Sequence, residues 1–185
     1  MKRMILCVLV VVLLCGCGQR DEWASVLQIR QNLLQSDGCT FDAHITADYG
    51  QTLSQFSAMC SADREGSVTF TISGPQTIAG ITGGISQHGG KLTFDDTVLA
   101  FELLAEGRLS PVAAPWVLIN ALRSGYLHSY QTLQDGLLLL VNDSYEDNAL
   151  QLQIKIDTND LPSSAEIYWQ ERRILTIQVE NFRLL

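Results

Sequence analysis

The chain has 185 residues, 46% of them hydrophobic, and a formal net charge of −8. That length supports one domain with a core of its own, and that composition is not that of a disordered polymer. Beyond the N-terminal Lys2-Arg3, Lys and Arg are adjacent only at Arg172-Arg173, so a basic face able to neutralise phosphates is missing and a nucleic-acid partner is disfavoured.

The N-terminus opens with Lys2 and Arg3, followed by an uninterrupted apolar run from Met4 to Leu14. A membrane-spanning helix needs about 20 apolar residues, so this run is too short for a stable span. A positive start, a short apolar core and small residues at its end describe an export signal. Its last residues, Leu14-Cys15-Gly16-Cys17, resemble the lipobox of bacterial lipoproteins, in which Leu, a small residue and Gly or Ala precede an obligatory Cys. Cys15 departs mildly from that pattern. The resemblance implies cleavage after residue 16 and a diacylglycerol on the Cys17 thiol. Each buried CH₂ of such an anchor contributes about 0.8 kcal/mol, and two chains hold where one does not. The alternative is an ordinary signal peptide with an incidental Cys. A zinc site is disfavoured, because Cys15 and Cys17 lack ligand spacing and partners.

Residues 17–20 read as a lipidated tether, and 21–185 as the folded domain. Trp23, Val26, Leu27, Leu33 and Leu34 fall mostly on one face of a helix predicted over Asp21–Gln35, with Arg30 interrupting it. Ser36-Asp37-Gly38 ends that helix. A hairpin follows, with alternating residues on both sides of Tyr49-Gly50. If those two residues form the loop, Cys39 faces Cys60, Phe41 faces Ala58, Ala43 faces Phe56 and Ile45 faces Ser54, all on one face. Opposed residues lie roughly 4.5–5.5 Å apart at Cα, within reach of a disulfide. After export and cleavage Cys39 and Cys60 are an even pair in an oxidising setting, so a Cys39–Cys60 bridge is expected. Two buried free cysteines are the alternative.

Val68–Ile72 alternates as a third strand and stops at Gly74-Pro75. From Gln76 to Phe101 glycines recur, but no phosphate-loop pattern is present, so turns and short strands are predicted. A second helix is predicted over Pro111–Ser124, with Pro115 in its first turn. Five strands then follow: about Tyr126–Leu133, Leu137–Asp143, Leu150–Asp157, Ala165–Trp169 and Leu175–Phe182. Asp135-Gly136 and Asn159-Asp160 mark tight turns. Short loops between alternating strands predict an antiparallel meander.

A helix, a run of strands, a second helix midway and a closing strand "ILTIQVENFRLL" resemble the LolA/LolB-like superfamily of lipoprotein carriers. The resemblance covers roughly 21–185 and rests on element order, with no signature motif. It implies an α+β fold: a strongly curved antiparallel sheet, or incomplete β-barrel, whose concave face is covered by the N-terminal and mid-chain helices. It further implies that acyl chains or a lipidated protein bind beneath those helices. Phe41, Ile45, Phe56, Phe70, Ile72 and Trp116 are the candidate cavity-lining residues. Plain core is the competing reading for each, since pockets and cores use the same residue types.

Catalytic chemistry finds little support. His44, His88 and His128 are scattered without companion carboxylates at ligand spacing. No G-x-S-x-G elbow occurs. Asp21-Glu22, Asp95-Asp96 and the carboxylates near Asp143 suit turns and solvated faces. No enzyme, no cofactor and no metal are expected. The expected protein is a monomeric lipoprotein of the cell envelope, held on the extracytoplasmic side of a bacterial membrane by its lipid. It would bind a lipid or lipoprotein, or alternatively serve as a protein-interaction scaffold with a filled interior.

Overall fold

A computed structural model describes residues 22–93 and 103–185. The expected signal peptide, Cys17 and the tether lie outside the described residues, as does the end of the glycine-rich segment.

Helix α1 spans Glu22–Gln35. Strands β1 (Gly38–Asp48), β2 (Leu53–Asp63), β3 (Val68–Gly74), β4 (Thr82–Ser86) and β5 (Gly89–Thr93) follow. A 3₁₀ turn at Pro111–Ala113 leads into helix α2, Ala114–Ser124. The chain ends with β6 (Tyr126–Leu133), β7 (Gly136–Asn142), β8 (Gln151–Ile156), β9 (Pro162–Trp169) and β10 (Arg172–Leu184). The strands make one open, curved antiparallel sheet in the order β5-β4-β3-β2-β1-β10-β9-β8-β7-β6. The first and last strands are neighbours at its centre, so each half is a meander running outward to an edge.

Alternation sets the layering. In β1, Phe41, Ala43, Ile45 and Ala47 are buried, whereas Thr40, Asp42, His44 and Thr46 are not. The same rhythm in β2, β3, β8 and β9 gives the sheet one apolar face. Helix α2 lies on that face against β2 and β10, and α1 packs on α2. Ala114, Leu118, Ile119 and Ala121 of α2 are fully buried, so α2 is an interior helix. Leu118 and Ile119 each contribute about 1.5–3 kcal/mol on leaving water, and each alanine methyl about 0.8 kcal/mol.

The hairpin register differs from the expected one. The β1–β2 loop is Tyr49–Thr52, twice the length expected, and Asp48 pairs with Leu53. The Asp48 carboxylate accepts the Gly50 N–H at 2.6 Å, and the Tyr49 N–H donates to the Thr52 carbonyl at 3.0 Å. These bonds hold the chain in a wider turn. The shift is by two residues, so every side chain keeps its face while its partner changes: Cys39 pairs with Ala62 and Cys60 with Phe41. The two cysteines are therefore diagonal neighbours, and both are buried free thiols in place of the expected bridge. A smaller correction concerns the second helix, whose first residues, Pro111–Ala113, are a 3₁₀ turn.

Candidate functional site

Five of the six expected cavity residues fill the core. Phe41, Ile45, Phe56, Phe70 and Ile72 are only 1–4% exposed and pack with Leu118, Ile119 and Leu122 in a single cluster. Phe41 also stacks on Phe182, their ring centroids 5.6 Å apart. Between the helices and the sheet, the hollow bordered by Val26, Ile29, Leu122, Leu127, Leu139 and Val141 amounts to about 10 Å³. One water fills such a space.

Arg30 closes this seam. Its Nε donates to the Leu122 carbonyl at 2.8 Å, and its Nη2 to the carbonyls of Gly125 at 2.7 Å and Ala121 at 3.3 Å. These oxygens lie at the C-terminal end of α2, where the last carbonyls run short of intrahelical donors, though that of Ala121 also accepts the Gly125 N–H, and where the helix dipole favours a cation. Burial pulls the Arg30 pKa below its ordinary value. The residue that interrupts the apolar face of α1 in the sequence is thus its attachment to α2.

A much larger hollow, about 930 Å³, opens on the helix-free face. It is lined by Thr40 and Asp42 of β1, Met59 and Ser61 of β2, Thr69 and Thr71 of β3, Thr82 of β4, and Asn181 and Arg183 of β10. Phe41 and Phe70 border it along their strands while their side chains are buried on the other side. Asn181, with φ +54°, sits where the β1–β10 register slips between Thr40 and Asp42. Such a bulge bends the sheet locally, and the Asn181 amide donates to the Asp42 carboxylate at 2.7 Å. Met59 is an exposed apolar group among these polar neighbours. Nearby on the same face, His44 bonds Ser57 Oγ at 2.8 Å and lies 3.6 Å from Glu180.

A third hollow, about 360 Å³, contains Trp116, the sixth expected residue. Its walls come from four segments: Arg108 before the 3₁₀ turn, Trp116 and Asn120 of α2, residues 143–150 between β7 and β8, and Trp169 at the end of β9. The Arg108 guanidinium lies over the Trp169 indole, 5.1 Å from its centroid. With its amide oriented to satisfy both neighbours, Asn148 accepts from Arg108 at 2.6 and 2.8 Å and donates to Glu146 at 3.2 Å. The Asp143 carboxylate accepts the Leu150 N–H at 2.8 Å, and burial raises its pKa. The indole N–H of Trp169 is buried with no acceptor, an arrangement that costs about 1–3 kcal/mol. Sequence reasoning missed Arg108, Asn148 and Trp169 as a group, because no local pattern joins them.

Burial raises the pKa of both thiols, Cys39 to about 11 and Cys60 to about 12. The thiolate is the reactive form. In the folded, processed protein neither cysteine should react with a thiol reagent at about pH 8, and both should react in denaturant. Failure to find these two thiols on denaturation would mean that they are bridged. Among the described residues no group of three or more His, Cys, Asp or Glu is placed to hold a metal ion.

The chain is an open antiparallel meander, joined at its centre by its first and last strands and covered on one face by two helices, consistent with the incomplete barrel that the family resemblance implied. The chain is similar to a LolA superfamily protein from Nitrosomonas europaea, at 10% identity and TM-score 0.46 over 86% of this chain and 93% of that one. It is likewise similar to a protein described as an outer membrane lipoprotein-sorting domain from Vibrio parahaemolyticus, at 9% identity and TM-score 0.44 over 86% and 91%. A third similar structure is MucB, at 12% identity and TM-score 0.44 over 91% of this chain and 60% of MucB. No family model and no curated protein sequence matches the chain. At these identities, function has to be argued from the chain's own geometry.

Proposed function

We infer that this chain is an exported, non-enzymatic lipoprotein of the cell envelope, processed after residue 16 and anchored through lipid on Cys17, whose domain engages a protein partner. The observation that carries the interaction reading is how tightly the seam beneath the helices is filled among the described residues. A carrier of acyl chains needs a connected apolar cavity of about 300 Å³ or more, and the seam beneath the helices holds about 10 Å³. The large hollow lies instead on the helix-free face, where hydroxyl, amide and charged groups interleaved with Met59 suit the mixed surface of a protein partner. Anchoring is supported by the lipobox and by α1, which begins just beyond the tether. Its Trp23, Leu27 and Leu34 are exposed and fall on one stripe of the helix, a pattern suited to a bilayer surface.

Lipid analysis of the chain purified from membranes tests this. Native mass spectrometry should show the mature chain starting at a lipidated Cys17, with no further lipid retained after detergent exchange. A stoichiometric second lipid would replace the interaction reading with the carrier one. The carrier reading has one observation in its favour. The seam between α1 and β6–β7 is apolar apart from Arg30, so α1 could lift to admit a chain if that residue released α2.

A further inference from the structure

We propose that the cleft between α2, the β7–β8 loop and the end of β9 is a binding site for a neutral mono- or disaccharide. Its volume of about 360 Å³ lies at the small end of ligand pockets, about 300–1,000 Å³. Three features select the ligand class.

The first is the indole of Trp116, half-buried in the cleft wall, with the buried Trp169 ring behind Arg108 on the far side. A pyranose presents one face of C–H groups and a rim of hydroxyls, so it can stack on an indole and still hydrogen-bond at its edge. The second is mixed charge. Arg108 lines the cleft together with the carboxylates of Asp143 and Glu146. An anion meets the two carboxylates, and a cation meets Arg108, which already covers the Trp169 ring. A sugar hydroxyl both donates and accepts, and is served by either sign. The third is the unsatisfied Trp169 N–H, which lacks only an acceptor. That N–H is covered in the unliganded chain, and Arg108 is the exposed group stacked on the same ring. On binding, the sugar's C–H face packs on Trp116, the Arg108 side chain moves aside, and a hydroxyl at the sugar's rim reaches the edge of the Trp169 ring and accepts from Nε1. This site is distinct from the seam and from the helix-free hollow, so it stands or falls independently of the anchored-scaffold reading.

The test is titration of the full chain with maltose and with N,N′-diacetylchitobiose, read by tryptophan fluorescence and by saturation-transfer NMR on the sugar C–H protons. Acetate, tetramethylammonium and glycerol are the controls. One of the disaccharides should give a saturable response with a Kd of about 1 mM or tighter. Trp169→Phe, which keeps an aromatic ring but removes the donor, should weaken binding about tenfold. Glu146→Ala changes an exposed loop residue and should weaken it severalfold in a chain that remains folded. This second variant decides the matter if Trp169→Phe fails to fold. Absence of a saturable response to both sugars overturns the proposal. So does a response to acetate, tetramethylammonium or glycerol in their place, or unchanged affinity in Glu146→Ala and in any folded Trp169→Phe.

Discussion

Arg30→Ala should lower the unfolding free energy by about 2–3 kcal/mol, and Tm by about 5–10 °C for a domain of this size. Val26, Ile29, Arg30 and Leu33 occupy one helical stripe at i, i+3, i+4 and i+7, and the three apolar members are buried. Removing the guanidinium takes the side-chain donor from the carbonyls of Leu122 and Gly125 at the end of α2, while the Ala121 carbonyl keeps the Gly125 N–H at 3.0 Å. It also deletes the stem that fills the space between the helices. The ion-pair-like attraction to the helix terminus is partly buried, so salt screens it only in part. Arg30→Lys keeps the charge but cannot reach three acceptors with one planar fork, so it should recover less than half of the loss. Arg30→Met restores the stem alone. Urea unfolding of the three variants separates hydrogen bonds from packing. A loss below about 0.5 kcal/mol for Arg30→Ala, the range of ordinary surface changes, would show that α1 is held by its apolar face alone. If α1 is a lid, the same variant should also increase hydrogen exchange along α1 without changing it in β1 and β10.

Arg30 also marks where the sequence stops being readable. Its interruption of an apolar stripe is visible locally, but its acceptors lie more than 90 positions away. Strands were legible because alternation is a local consequence of a half-buried sheet. The predicted β6 bounds match the observed strand, and β7 and β8 differ by a residue at each end. Curvature and helix placement followed from element order through the family resemblance. The β1–β2 register was not legible, since it depends on whether Tyr49–Gly50 or Tyr49–Thr52 forms the loop, a choice made by the Asp48 carboxylate bonding the Gly50 N–H. Parity survived the error, which is why Phe41, Ala43 and Ile45 were assigned to the correct face. Burial of Phe56 and Ile72 was legible too; whether they line space or fill it was not, because that depends on how closely α2 approaches. The cleft around Trp169 required four segments to meet, and although Trp116, Trp169 and the carboxylates near Asp143 each drew notice in the sequence, nothing local joined them.

Gly136→Ala should be the most damaging single-methyl change, costing about 4 kcal/mol. Gly136 has φ +139° at the start of β7, and a Cβ built there would lie 1.9 Å from the Ile156 carbonyl oxygen and 2.9 Å from its carbon. Both obstacles are backbone, so no side-chain rotation relieves the clash. Ile156 is the residue with which Leu137 pairs, and Asp135 in the same turn holds Lys155 at 2.7 Å. Accommodating the methyl therefore means parting β7 from β8 where the turn is fixed. Gly107→Ala is the control: its φ of +89° is also left-handed, but nothing lies within 4 Å of its Cβ position, so conformational strain alone should cost about 1–2 kcal/mol. Equal urea midpoints for the two variants would refute the close-approach argument. The consequence reaches the helices as well. Leu139 and Val141 of β7 form the seat on which Val26 and Ile29 of α1 rest. A chain with Gly136→Ala that still folds should thus expose α1 to exchange even though Arg30 is intact. Both routes to a loosened α1 end at the same apolar seam, one by releasing the helix and the other by moving the sheet beneath it.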